Sequence, residues 1–253
     1  EGDIWLQTKW DGERRGVLCK DLGDVTGANR KGFEVPLIPT IRGAVEQLLT
    51  KSSPVLTFDS EDMGDYLTIF DIMKFGRQDL TDHTFTNRVP YLQELFEALS
   101  EIESPFLSID MPYRPKSFIE FGNFIEDAKD RNEEGVVIRV GSTKYLPGKP
   151  NSGGGLYKLK FKESATCRVE FKHPSKSSVG LELKDDTTNE WVSVGNTTIY
   201  PNQLFPDEGD IVEVEYLYAY PGGSLYQPVF KGPRTDVGVE AAVISQLKYK
   251  KGT

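Results

Sequence analysis

The chain is short of the residues that staple small secreted domains or build metal sites. Its 253 residues include two cysteines and two histidines. Cys19 and Cys167 stand far apart, which excludes a disulfide framework and a zinc-finger spacing. A reducing, intracellular compartment is therefore expected. No apolar run approaches the roughly 18–20 residues that a membrane span needs, and no signal-peptide pattern opens the chain. Glu1 stands where a Met would start a complete chain, so this end reads as trimmed, cleaved or missing residues. Basic charge is in deficit too: 30 Lys and Arg face 39 Asp and Glu, a net charge of −9. That excludes a wholly basic nucleic-acid coat. It leaves room for a local basic patch, which is what a phosphate backbone responds to. Between Lys158 and Lys176 there are six Lys or Arg and only two Glu.

What remains is ordinary globular composition, 38% hydrophobic and 27% charged, enough for a larger domain followed by a smaller one. Residues 4–10 alternate like a strand, with Ile4, Leu6 and Thr8 on one side and Trp5, Gln7 and Lys9 on the other. "GVLCKD" reads as the return strand of a hairpin. Three segments carry helical stripes. They are Ile41, Val45, Leu48 and Leu49; Val89, Leu92, Leu95, Phe96 and Leu99; and Phe118, Phe121, Ile125 and Ala128. The third opens with a capping-box pattern, Ser117 and Glu120. "YLTIFDI", "GVVIRV" and "LYKLKFK" read as strands between them. From Cys167 onward short strands follow one another between turn residues, with little helix until about Glu240. In "DIVEVEYLYAY", Val212, Val214, Tyr216, Tyr218 and Tyr220 share one face. Some five strands in ~70 residues suit a small barrel such as an OB-fold. The expected class is α+β: an antiparallel-sheet domain with flanking helices over 1–163, then an all-β barrel over 164–253.

The stretch "LQTKWDGERRG" holds the chemical question. Lys9 sits two places ahead of Asp11-Gly12 and five ahead of Arg14. An ordinary lysine is protonated at neutral pH and is no nucleophile. Neighbouring cations or a metal would favour its neutral form, and a triphosphate substrate would need cations around its oxygens and carboxylates to hold a metal. Such residues recur downstream: Arg30 in "NRKG", Glu61 in "TFDSED", Phe70 in "LTIFDIM", Glu134 in "EEGVVIRV", and Lys158 and Lys160 in "LYKLKFK". Taken singly, each carboxylate reads as a strand-end surface group, Phe70 as core, and the lysines as a solvated face. His83 and His173 are isolated and receive no role.

As an ordered set, "KWDGER", "NRKG", "DSE", "YLTIFDI", "EEGVVIR" and "YKLK" resemble the nucleotide-binding motifs of the covalent nucleotidyltransferases. Within that superfamily the chain resembles ATP-dependent DNA ligases of the small bacteriophage or bacterial type. "FGRQDLTDHTFTNRVPYLQEL", the Tyr145-Leu-Pro-Gly148 lead into the last lysine motif, and "GSLYQPVFKGPRTD" are similar to further stretches of those enzymes. The resemblance implies an adenylation domain, an OB-fold domain, and these roles. Lys9 attacks the α-phosphate of ATP and becomes lysyl-AMP. Gln7 and Thr8 border the adenine, and Phe70 stacks on it. Arg14 and Arg30 meet the ribose and later a 5′-phosphate. Glu61 and Glu134 bind ribose or hold Mg²⁺, with Mn²⁺ as a substitute. Lys158 and Lys160 contact the α-phosphate, and Arg234 orients pyrophosphate. It also implies nicked double-stranded DNA as partner, a minimal two-domain monomer that clamps it, no membrane, and the cytoplasm of a bacterium or phage-infected host. Three positions depart from the family pattern: Ser60 where Gly is usual, a short nine-residue step from Glu61 to Phe70, and Val237 where Lys is common. An RNA ligase, an mRNA capping guanylyltransferase forming lysyl-GMP, and a non-catalytic nucleic-acid-binding homologue are the rival readings.

Overall fold

Alternation, helical stripes and turn residues divide the chain into short antiparallel strands with three helices among them. The computed structural model describes residues 3–147 and 154–250, so Gly148, the end of the Tyr145 lead-in, lies outside the described residues. In chain order come β1 (Ile4–Lys9), β2 (Glu13–Asp21), β3 (Asp24–Asn29), β4 (Glu34–Val35) and α1 (Pro39–Lys51). Then follow β5 (Leu56–Asp62), β6 (Leu67–Phe75), β7 (Gln78–Asp79), α2 (Phe85–Ser100), β8 (Leu107–Ile109) and α3 (Phe118–Asp130). After them come β9 (Gly135–Val140) and β10 (Leu156–Lys160). The last strands are β11 (Glu163–Lys172), β12 (Ser178–Lys184), β13 (Trp191–Thr198), β14 (Ile211–Tyr216) and β15 (Val229–Pro233). The chain divides into two compact units, residues 1–159 and 160–253.

The first unit contains two sheets. One runs β1-β9-β10; the other runs β4-β3-β2-β5-β6-β7, with β8 parallel to β6. β1 and β2 are therefore not a hairpin. β1 pairs antiparallel with β9, while β2 pairs with β3 and β5. The expectation failed because three residues, Trp10 to Gly12, suffice for a hairpin turn but here carry the chain from one sheet to the other. Gly12 is required at this crossing: a Cβ on it would sit 2.4 Å from the Asp62 carbonyl oxygen.

α1 and α2 cover the larger sheet, and α3 the smaller one. α1 starts with Pro39, whose missing N–H costs nothing in a first turn, and buries Ile41, Ala44, Val45, Leu48 and Leu49. Each such side chain taken fully out of water is worth about 1.5–3 kcal/mol. α2 buries Leu92, Leu95 and Leu99 as expected, but Phe96 is exposed and Arg88 is inside. α3 departs most. Its Ser117 cap accepts from Glu120 N at 3.2 Å, and Glu120 Oε2 accepts from Lys116 N at 2.8 Å. Of its expected stripe Ala128 alone is buried, and Phe118 is 95% exposed. The helix lies on β9, and its first turn carries its apolar side chains into solvent.

The second unit is one antiparallel sheet of order β13-β12-β11-β14-β15. Alternation holds along β14, where Val212, Val214 and Tyr216 are buried. The strand stops at Tyr216. Tyr218 stacks on Tyr226 with ring centroids 4.8 Å apart, and Tyr220 is exposed. The basic run from Lys158 to Lys176 is mostly strand, not linker, and Lys162, Arg168 and Lys172 pair with Glu215, Glu182 and Asp207.

Candidate active site

Register brings the separated sequence motifs together. Lys9, the last residue of β1, lies opposite Gly135, the first of β9. Glu134 is thus one step beyond Lys9's partner, and Lys9 Nζ forms an ion pair with Glu134 Oε2. Both side chains are largely shielded, which strengthens the pairing relative to one in water.

In the larger sheet Arg14 on β2 lies directly opposite Glu61 on β5. Paired residues of antiparallel strands share a face, and so does the residue two along. Arg14 accordingly reaches the buried Asp59, its Nε at 3.0 and 2.9 Å from the two carboxylate oxygens and Nη2 at 2.5 Å. Nη2 also donates to the Tyr145 hydroxyl at 2.9 Å. Burial works against the Arg14 charge, but Asp59 and Tyr145 outweigh it and keep its pKa above the usual value. Burial pushes the Tyr145 hydroxyl up to about 12, so it stays a hydrogen-bond donor.

Glu61 is pushed above the ordinary carboxylate range by burial, against the opposing charges of Lys9 and Lys158 and a hydrogen bond from the Gly12 backbone. It is a shielded carboxylate with too little positive charge around it. Lys158, on β10, is pulled below the ordinary lysine value by burial and by the neighbouring cations Lys9, Arg30 and Arg14. Those effects place Lys9, Glu61, Arg14 and the exposed Arg30 within electrostatic reach of Lys158. Lys160, two residues on from Lys158, opens the second unit and donates to Gln227 Oε1 at 3.4 Å.

Phe70 is presented by a bulge. Ser60 pairs with Ile69 and Asp59 with Asp71, which leaves Phe70 as the extra residue of β6. Bulges re-aim side chains in this way. Gln7, 1% exposed, donates to the Phe70 carbonyl at 3.0 Å and to the Asp110 carbonyl at 2.7 Å, while its own Oε1 is buried without a partner. The Arg139 guanidinium lies 5.6 Å from the Phe70 ring centroid. Thr8, next to Lys9, pairs with Val136.

Arg234 belongs to the second unit. It forks onto Asp236 at 3.1 and 2.5 Å and donates to Thr166 Oγ1 at 2.9 Å. Asp236 raises its pKa. His83 gives its carbonyl to Arg88, and His173 Nδ1 accepts from the Ser175 and Lys176 backbones, both local structural duties. Burial raises both thiols to about 12, which leaves them unreactive.

Several neighbours of the site were not singled out in the sequence. Asp59 stands two residues before Glu61 on one strand, so period-two spacing would have flagged it. The buried Asp71, held by Arg88 at 2.8 Å and by Arg139 at 2.9 Å, links β6, α2 and β9. Asp110 joins β8 to β1. Their partners are distant in sequence, and no spacing rule reaches them. Among the described residues no group of three or more His, Cys, Asp or Glu side chains could hold a metal by itself.

Residues 62–160 match the ATP dependent DNA ligase domain family. That segment contains Phe70, Glu134, Lys158 and Lys160, and Lys9, Arg14, Arg30 and Glu61 lie before it. Three solved structures share the fold. A Lig E DNA ligase matches at 16% identity over 92% of this chain and 93% of that one, with a TM-score of 0.65. The mycobacterial DNA ligase D complexed with ATP and MES matches at 17% identity over 95% and 92%, TM-score 0.54. A protein described as Pmar-Lig matches at 16% identity with a TM-score of 0.74, over 92% of this chain, which spans 64% of that one. No curated protein matches the chain.

Proposed function

We propose that this chain, whose residues 62–160 match the ATP-dependent DNA ligase domain family, seals 5′-phosphate/3′-hydroxyl nicks in duplex DNA through a lysyl-AMP intermediate on Lys9. The observation that carries the reading is the meeting of Lys9, Glu134, Glu61 and Lys158 from four separated motifs. The Lys9 amine attacks the α-phosphorus of ATP, an N–P bond forms, and pyrophosphate leaves with the electrons of the P–O bond. Glu134, in contact with the Lys9 ammonium, is the nearest acceptor for the proton that must leave first. Lys158 and Lys160 balance charge gathering on the α-phosphate, which is where fixed cations lower a barrier most. Gln7 and Thr8 border the adenine, Phe70 stacks on it, and Arg14 and Arg30 serve the ribose and the DNA 5′-phosphate. Arg234 orients pyrophosphate. In the second step the DNA 5′-phosphate displaces Lys9 and carries the AMP. In the third the 3′-hydroxyl displaces AMP and the phosphodiester closes.

Mg²⁺ uses one or two carboxylates and otherwise phosphate oxygens and water. Glu61 and Glu134 would hold it, and the fit rests on these two shielded carboxylates, both of which interact with Lys9. When bound, the ion would shield triphosphate oxygens from the attacking amine. The second unit is read as an OB-fold barrel. Supporting this, Leu225 N donates to Val194 O at 2.9 Å and Thr197 Oγ1 to Pro228 O at 3.3 Å, ties between β13 and the approach to β15. With the adenylation domain it would form a monomer around nicked DNA. No helix among the described residues is long and apolar enough to cross a membrane, and a cytoplasmic site of action is in keeping with the reading.

Sealing of a labelled nick tests the function. With Mg²⁺ and ATP, a DNA nick is joined, while GTP in place of ATP gives no product. Joining of an RNA nick in preference to DNA would favour an RNA ligase, and a guanylylated chain would favour a capping enzyme.

A further inference from the structure

Asp110 follows β8 and has no part in the chemistry above, yet it grips β1 on both sides of Lys9. Its carboxylate accepts from the Trp10 indole Nε1 at 3.1 Å, and the nearby backbone N–H of Thr8 favours its charged form. Its carbonyl accepts from Gln7 Nε2 at 2.7 Å. Its own N–H donates to Ile69 O at 2.8 Å, which fastens it to β6.

The edge of β1 that faces away from β9 explains why a carboxylate stands here. Leu6 and Tyr113 exchange both backbone hydrogen bonds across that edge, each 2.8 Å. Thr8 N–H is next in line, and it finds the Asp110 side chain in place of a backbone carbonyl. Trp10 is the first residue beyond β1, where the chain leaves for the other sheet. A neutral amide offers one acceptor oxygen and turns a donor toward the site in place of the other, whereas a carboxylate offers two charged acceptors. The cost is a charge removed from water.

We propose that Asp110 is the positioning residue of Lys9, fixing the backbone on either side so that the lysine amine is aimed at its target, and that its ionisation sets how firmly that backbone is held. The inference rests on the reading of Lys9 as the nucleophile. Its charged form accepts strongly from Trp10 and favours the Thr8 N–H; its protonated form turns one oxygen into a donor and loosens that hold. Burial drives the Asp110 carboxyl up to about 7, against the bonds from Trp10 and Thr8 and the charge of Arg139 on β9, with Glu133 adding to the rise. The grip therefore tightens as pH rises through neutrality. A displacement of ~1 Å in a reacting group can cost about 100-fold in rate.

The test is the rate of AMP attachment from α-labelled ATP, followed on both sides of neutral pH in the wild-type chain, Asp110→Asn and Trp10→Phe. In the wild type the rate climbs through the neutral range. Asp110→Asn is slower by about 10- to 100-fold at saturating ATP, keeps the wild-type half-saturation by ATP, and loses the neutral limb. Trp10→Phe removes a bond that favours the charged carboxylate, so its neutral limb moves to higher pH. Attachment by Asp110→Asn at the wild-type rate, or slowed with the wild-type pH profile, overturns the proposal. If Asp110→Asn does not fold, an unmoved limb in Trp10→Phe overturns it. A wild-type chain that takes no label is a different failure: it removes Lys9 as nucleophile, and this inference with it.

Discussion

Lys9, Glu61, Asp59 and Asp110 are charged groups taken largely out of water, and each is held by specific partners. At this scale the sequence was legible where one motif named one residue: Lys9 and Glu134 meet, and Lys158 and Glu61 stand within reach of Lys9. It was silent where a partner lay far along the chain, as with Asp110 and β1. Asp110 also has a consequence for stability. Its carboxyl rises from an ordinary 3.8 to about 7 in the fold. Between those values the folded chain binds the proton and the unfolded chain does not. The contribution is thus full below about pH 4 and is lost as pH rises toward 7, with a slope of up to about 1.4 kcal/mol per pH unit. Urea unfolding across that range should show the decline in the wild type and a flatter course in Asp110→Asn. Parallel curves for the two chains would contradict the assignment.

At the scale of elements, hydrophobic periodicity located α1, α2, α3 and most strands, because each helix face and strand face meets a core on one side. Pairing was less legible. A strand, three residues and a strand describe a hairpin as well as a crossover, and β1 chose β9, 125 residues beyond Lys9 at Glu134. Exposure at α3 escaped prediction for a related reason: a stripe of Phe118, Phe121 and Ile125 states what a helix could bury, and the sheet beneath decides how much of it is covered. The crossover is what makes Gly12 irreplaceable. A Cβ there would meet the Asp62 carbonyl at 2.4 Å and Glu61 Cγ at 3.0 Å, so the start of β2 and the end of β5 would have to part. Gly12→Ala should lose about 1–3 kcal/mol in denaturant unfolding and attach AMP more slowly. Wild-type stability and rate together would show that the crossing has room to spare.

For the whole molecule, an acidic chain and the proposed action on DNA are no contradiction, since charge is sorted by place. Lys9, Arg14, Arg30 and Lys158 gather within one unit, while cations of β11 are neutralised by carboxylates on neighbouring strands and loops. The fold agrees across nearly the whole length with that of DNA ligase structures, and residues 62–160 match the ligase domain family. Chemistry rests on one lysine. The most direct measurement is incubation of the chain with Mg²⁺ and α-labelled ATP, denaturing electrophoresis, and peptide mapping of the label, beside a folded Lys9→Ala chain. The account predicts AMP on the Lys9 peptide, chased into product by nicked DNA, and no label on Lys9→Ala. Label on another residue, or a Lys9→Ala chain that still charges with AMP, would contradict it.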